Sequence, residues 1–111
     1  VCMPYVETDT HIFVHAGVDA SCDMADQIDD ELYWRKLEPG WVVPHCSGKV
    51  VVCGHSEQRS GVPLNLGHTI CIDTWAYAGR WLTCLDVTTG KYWQANQRGE
   101  TRTGWLEESE E

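Results

Sequence analysis

No apolar run approaches the roughly 20 residues that cross a bilayer, so no membrane-spanning helix is expected. The opening residues, Val1-Cys2-Met3-Pro4, do not form a charged region followed by an apolar stretch, and a soluble chain with no membrane partner is the expectation. Cations are scarce. Eight Lys and Arg stand against seventeen Asp and Glu, a net charge of -9, and they are scattered along the sequence. A polyanion needs a basic stripe, so nucleic acid is not an expected partner. The six cysteines, Cys2, Cys22, Cys46, Cys53, Cys71 and Cys84, lack the paired short spacing of disulfide scaffolds and zinc ribbons. Reduced thiols and a cytoplasmic setting follow, with Cys53, Cys71 and Cys84 expected as small buried hydrophobes in strand-like runs. There is no internal repeat, and no low-complexity segment apart from the acidic end.

What is present suits one folded domain. The chain has 111 residues, 42% of them hydrophobic and 23% charged, enough for a moderate core without covalent staples. It opens on Val1, which reads as a processed start or as a piece of something longer. The acids gather between Asp19 and Glu31 and in the run Glu107, Glu108, Glu110, Glu111; residues 106–111 are expected to be a solvated acidic tail.

Two segments each deliver one histidine to the end of an apolar strand. Thr10 to His15 contains Ile12-Phe13-Val14 and is broken by Ala16-Gly17; Val50 to Cys53 is wholly apolar and is stopped by Gly54-His55-Ser56. Strands of this kind are buried on both faces. Side chains leaving their carboxyl ends converge on one crevice, where ions and ligands bind. Between the two, Met24, Ile28 and Leu32 recur every four residues with acids between them, which predicts one amphipathic helix ending near Trp34-Arg35-Lys36. Glu38-Pro39-Gly40 and Val43-Pro44-His45 predict an irregular connection. Thr69 to Asp73 reads as a further strand. Trp81 to Val87 and Lys91 to Ala95 read as a hairpin turned by Thr88-Thr89-Gly90. The fold class is α+β: a mixed sheet of about five strands, one main helix and a C-terminal hairpin. One helix covers one face of such a sheet, so something else should pack on the other.

The order His15-Ala16-Gly17, Trp34-Arg35, Gly54-His55-Ser56, then Cys71-Ile72-Asp73-Thr74 and a hairpin resembles the C-terminal half of the phosphoprotein phosphatases, in the calcineurin-like metallophosphoesterase superfamily. The bacterial and phage-type members are most similar, and the likeness runs from about Asp9 to Asn96. It implies that residues 1–105 are half of a metallophosphoesterase β-sandwich. In the family two divalent ions, manganese or iron with zinc, are bridged by a water and held by Asp, His and Asn. The resemblance implies that His15 and His55 ligate one metal and that Arg35 grips the phosphoryl oxygens. Imidazole suits first-row metals, and guanidinium offers phosphate a planar fork.

The family's Gly-Asp-x-His, Gly-Asp-x-x-Asp-Arg-Gly and Gly-Asn-His segments, which carry the other ligands, do not occur in this sequence. At most one partial metal site is therefore implied, with weak binding and no useful turnover by the chain alone. The implied partners are a phosphoprotein or other phosphoester substrate and the missing N-terminal half, or a second copy. Ser56 stands where threonine is usual, and Trp75 and Tyr77 where many members have smaller residues, so the phosphate pocket is expected to be narrower.

Other residues read more plainly. His11 is expected to be structural, His45 and His68 solvated in loops, and Asp73 a turn cap or an orienting group. The six tryptophans, Trp34, Trp41, Trp75, Trp81, Trp93 and Trp105, are expected mostly in the core or on sheet faces. They also support an alternative, an aromatic-rich β module that binds sugar rings or a peptide. A non-catalytic interaction domain on the same scaffold is a second alternative.

Overall fold

Short β-rich runs joined by long irregular connections build this molecule. The computed structural model describes residues 3–107; Cys2, and Glu108 to Glu111 of the expected acidic tail, lie outside the described residues. The strands are β1 (Tyr5–Glu7), β2 (His11–Val14), β3 (Val50–Cys53), β4 (Leu64–Asn65), β5 (Thr69–Cys71), β6 (Leu82–Leu85), β7 (Lys91–Ala95) and β8 (Thr101–Trp105). One α-helix, α1 (Asp29–Trp34), lies between β2 and β3, and single 3-10 turns occupy Met24–Asp26 and Ala76–Ala78.

The architecture is α+β. A mixed sheet has the order β1-β2-β3-β5-β4, and β6-β7-β8 form a separate sheet. The three central strands are parallel, with His11 opposite Val50, Phe13 opposite Val52, and Cys53 opposite Cys71. β1 and β4 run antiparallel at the edges. The mixed sheet has five strands as expected, but the two hairpin strands counted towards that number are replaced by others. The hairpin does not join the mixed sheet; β1 and β4 complete it, while β8 joins the hairpin through five register pairs with β7. β1 and β4 have three and two residues, too few to show an alternation. β8 is mostly polar and exposed, with Trp105 only at its end, so no apolar alternation marks it.

The single long helix is also corrected. Gln27 turns the chain out of helical geometry with ψ 144, and Ile28 follows at ψ 156. The Gln27 side chain is responsible. Its Nε2 donates to the carbonyls of Asp19 at 2.7 Å and Cys22 at 3.0 Å, and its Oε1 accepts from the Asp19 amide at 2.7 Å. Side-chain bonds to local backbone compete with helix propagation in this way. Met24 and Leu32 still reach the core with Ile12 and Val51, ringed by Tyr5, Val14, Val18 and Tyr33. Ile28 is left 61% exposed.

The small sheet is tied to the rest by buried polar groups. Gln94, 2% exposed, donates to the Gly61 carbonyl and to Thr83 Oγ1, both at 2.9 Å. Arg102 donates to the same carbonyl at 2.8 Å. Thr83 bonds to Thr74 just beyond β5. Each polar atom in this network has a partner, as burial demands. Because Thr83 faces inward, its neighbour Cys84 is exposed, which corrects the buried position expected for that thiol. Cys53 and Cys71 are buried as expected. A hydrogen bond to Cys71, then burial, pushes the Cys53 thiol far up. None of the six tryptophans is buried, which corrects the core placement: Trp34 and Trp41 are exposed and Trp75 and Trp81 half-buried, while Trp93 and Trp105, also exposed, lie on a sheet face as expected.

The turn between β6 and β7 is held by Asp86, whose carboxylate accepts the amides of Thr88 at 2.9 Å and Thr89 at 3.4 Å, while Gly90 takes φ 83. These bonds, the Thr88 amide first, hold the Asp86 carboxyl below its ordinary 3.8. A carboxyl lowered in the folded state stabilises above the unfolded value and loses that contribution as pH falls through the folded one. Amide-exchange protection in this turn is therefore expected to hold above the ordinary carboxylate value of 3.8 and to be lost as pH falls below it, with Asp86→Asn, which keeps an acceptor, showing a weaker pH dependence.

Candidate metal centre

The parallel pairing of β2 and β3 brings two histidines to one edge. The ladder continues past the strand ends, where the Gly54 amide donates to the His15 carbonyl at 2.8 Å. Glycine allows this approach, since a Cβ at residue 54 would stand 3.3 Å from that carbonyl oxygen. Next in the chain, His55 adopts φ 64. A non-glycine residue in this region is uncommon and marks a place where the surroundings hold a strained backbone. The result is that the His15 and His55 ring centres lie 5.2 Å apart, with their planes at 49°. The Trp34 ring stands nearly perpendicular to that of His55, with their centres 6.0 Å apart.

The segment after α1 is sewn to the same loop. Lys36 Nζ donates to the His55 carbonyl at 3.1 Å, and the Leu37 amide donates to Ser56 Oγ at 2.6 Å. Ser56 is buried; in this position it is a backbone anchor. Arg35 follows directly on α1. Its stem packs on Gly17, where a Cβ would stand 3.2 Å from the arginine Cδ, and its guanidinium pairs with Glu31 one helical turn back. Asp19 lies nearby. Its carboxyl is held below the usual range by the Ser21 hydroxyl and then the Ser21 amide, with Arg35 adding to the effect. Thus the structure joins the two imidazoles and sets the Arg35 stem against the turn that follows His15, with the guanidinium on Glu31 rather than on either ring.

The donor pair fits an ion in chemistry and spacing. Two imidazoles that share an ion about 2.1 Å from each nitrogen at a tetrahedral angle have ring centres about 5 Å apart. The donor number is short. Among the described residues no group of three His, Cys, Asp or Glu side chains is gathered to hold a metal. Asp73, at the end of β5, caps its own turn by accepting the Trp75 amide at 3.2 Å.

The remaining histidines are elsewhere. His11 stacks on Phe13 and bonds Thr10 Oγ1 at 2.7 Å. His68 bonds Thr69 Oγ1 at 2.8 Å. His45 corrects the expectation of a solvated ring: it is 3% exposed, with one ring nitrogen on the Cys22 carbonyl and the other on Ser47 Oγ.

Sequence reasoning missed the cations that gather beside this edge. Lys36 lies 3.4 Å and Arg59 3.8 Å from the Glu57 carboxylate, which its own backbone hydrogen bond and then Lys36 hold below the usual range. Arg59 also stands over the Trp75 ring. No motif marks these residues; Lys36 and Glu57 meet across 21 positions. No family model matches the chain, and neither a curated protein nor a solved structure matches it. Among the described residues no helix is long and apolar enough to cross a membrane.

The Glu31 pairing bears on any anion that Arg35 receives, because the anion must displace a carboxylate. Exposed ion pairs are worth about 0.2–1 kcal/mol. Glu31→Gln is therefore expected to raise the chain's affinity for inorganic phosphate by up to about fivefold, measured by calorimetric titration.

Proposed function

We propose that this chain is the C-terminal portion of a metal-dependent serine/threonine protein phosphatase. One observation carries the reading: two histidines at the carboxyl ends of adjacent parallel strands present their rings 5.2 Å apart, with an arginine stem against the turn that follows the first of them. His15 and His55 would supply two donors to one divalent ion, manganese, iron or zinc. The remaining donors would come from an N-terminal half or a partner copy. Bound ions of this class supply a hydroxide nucleophile at neutral pH and polarise phosphoryl oxygens.

What this chain contributes is binding and orientation. Its imidazoles would hold the ion at the edge of the sheet. Arg35, released from Glu31, offers five donors in one plane to the phosphoryl oxygens of a phosphoserine or phosphothreonine, and stabilises the charge they carry as the bond to the leaving oxygen breaks. A wide apolar groove of about 540 Å³ opens beside His15, lined by Met3, Val6, Phe13 and Tyr33 among others; it supports a covering half on this side. Free thiols at all five described cysteines support a cytoplasmic setting.

The test is residue-resolved. Manganese titrated into the chain is expected to broaden the ring resonances of His15 and His55 together and before those of His11, His45 and His68. Broadening confined to the acidic segment around Asp29 would overturn the reading. With two protein donors, the chain is expected to leave a chromogenic phosphate ester unhydrolysed in manganese.

A second reading has its own support. On the outer face of β6-β7-β8, Trp93 and Trp105 are exposed, and Lys91 Nζ lies 5.2 and 5.9 Å from their ring centres. Such a face suits an aromatic binding module or an interaction domain. Quenching of tryptophan emission by a saccharide, with no response to manganese or phosphate, would favour it.

A further inference from the structure

Two unfavourable features meet at Trp75. Its backbone takes φ 69, a strained setting for a bulky side chain, and its buried indole Nε1 has no hydrogen-bond partner among the described residues. Neither feature stabilises the fold. Strain of this kind persists where it places something useful, and what it places here is a flat support for a cation: the Arg59 guanidinium carbon stands 4.7 Å from the Trp75 ring centre.

The pair belongs to the histidine edge. The Gln58 amide donates to the Asp73 carbonyl at 2.7 Å, and the Trp75 amide donates to the Asp73 carboxylate. These bonds bind the loop that carries His55 to the loop that carries Trp75. The Arg59 side chain is 72% exposed, and the carboxylate nearest it, Glu57 at 3.8 Å, is shared with Lys36. Glu57 is shared between two cations, and Arg59 meets it only at 3.8 Å, so its guanidinium is open to a further anion on the loop that follows His55. Stacking fixes the guanidinium plane and leaves its edge donors for an incoming anion, whose geometry they match better than an ammonium would.

We propose that Arg59, laid on Trp75, is a specificity-determining residue that binds a second anionic group of the substrate, an acidic side chain next to the phosphorylated residue of a phosphopeptide. This rests on the phosphatase reading of the His15 and His55 site. Arg35 takes the phosphoryl group, and Arg59 takes the flank.

The experiment compares two phosphoserine peptides, one flanked by glutamate and one by glutamine, bound by the full chain in manganese and followed by fluorescence anisotropy. The glutamate-flanked peptide is expected to bind about fivefold more tightly, the size of an exposed but well-oriented charge pair. Arg59→Gln is expected to bring the ratio to about one, and Arg59→Lys to restore only part of it, since charge returns without the planar fork. Trp75→Leu is expected to weaken the preference while Arg59 remains. No preference in the unaltered chain, or a preference that survives Arg59→Gln, overturns the proposal. Pyrophosphate is the control for a second phosphoryl group as the true ligand: if Arg59→Gln weakens its binding and leaves the peptide ratio unchanged, the acidic-flank assignment is wrong. Manganese broadening of His15 and His55 is recorded on the same samples. Its absence defeats the phosphatase reading, whereas its presence with an Arg59-independent ratio defeats only this inference.

Discussion

Alanine at His15 is expected to lower the affinity of the chain for manganese by about 100-fold, and alanine at His11 to change it by less than about twofold. The contrast follows from position. Both residues belong to the β2 segment, but only His15 lies past the strand end with its ring beside a second imidazole. Loss of a group that merely orients a ligand costs about 10- to 100-fold in metal affinity, so loss of one of two donors belongs at the upper end of that range or beyond. The substitution is structurally mild. His15 is exposed, and what β3 needs from residue 15 is its carbonyl, which accepts the Gly54 amide and survives any side-chain change.

His55 needs a different replacement, because its φ of 64 penalises alanine for backbone reasons. His55→Gly removes the imidazole and relieves the strain together. It is expected to match His15→Ala in affinity while keeping or raising the unfolding midpoint. Competition against a fluorescent manganese indicator measures the first quantity, and urea titration the second. Unchanged affinity in both variants would mean that the two rings meet for packing alone.

Much of this edge was legible in the sequence, for a physical reason. β2 and β3 are short runs of Ile, Phe and Val without polar alternation, which is how strands covered on both faces read, and glycine follows each. A histidine placed just beyond such a run is nearly bound to lie on the sheet edge. Chemistry that depends on contacts between distant segments was not legible. Lys36, Glu57 and Arg59 carry no pattern of their own and meet only once the loop after β3 folds against the end of α1. The break at Gln27 was hidden similarly, since Met24, Ile28 and Leu32 keep a helical period while the Gln27 side chain captures Asp19 and Cys22. Cys84 and Thr83 show the limit of reading by composition: in Leu82 to Leu85 the cysteine is the more apolar of the two, yet the inward position goes to the threonine because Gln94 and Thr74 supply its partners.

Gly104→Ala is expected to destabilise the chain by about 1–3 kcal/mol, the usual cost of forcing volume into a packed position. Gly104 lies opposite Tyr92 in the β7-β8 register, and a Cβ there would come 2.5 Å from the tyrosine Oη and 2.6 Å from Cζ. The ring occupies the space where a side chain of β8 would stand. Tyr92 is 9% exposed and cannot swing aside without leaving its own packing. Tyr92→Ala alone is expected to cost about 3–5 kcal/mol through the void it leaves. The double variant tests the cause, because once the ring is gone the added methyl meets nothing and partly fills the void. Its cost should therefore fall clearly below the sum of the two single costs, a coupling expected of residues in direct contact. Additive costs in urea unfolding would mean that Gly104 is required for its backbone freedom instead. The consequence reaches the histidine edge, because β8 carries Arg102, which shares the Gly61 carbonyl with Gln94, and Gln94 holds Thr83, which bonds Thr74 beside Trp75. A loosened β8 should therefore weaken amide protection at Trp75 before it affects β2 or β3, whose ladder does not depend on the small sheet.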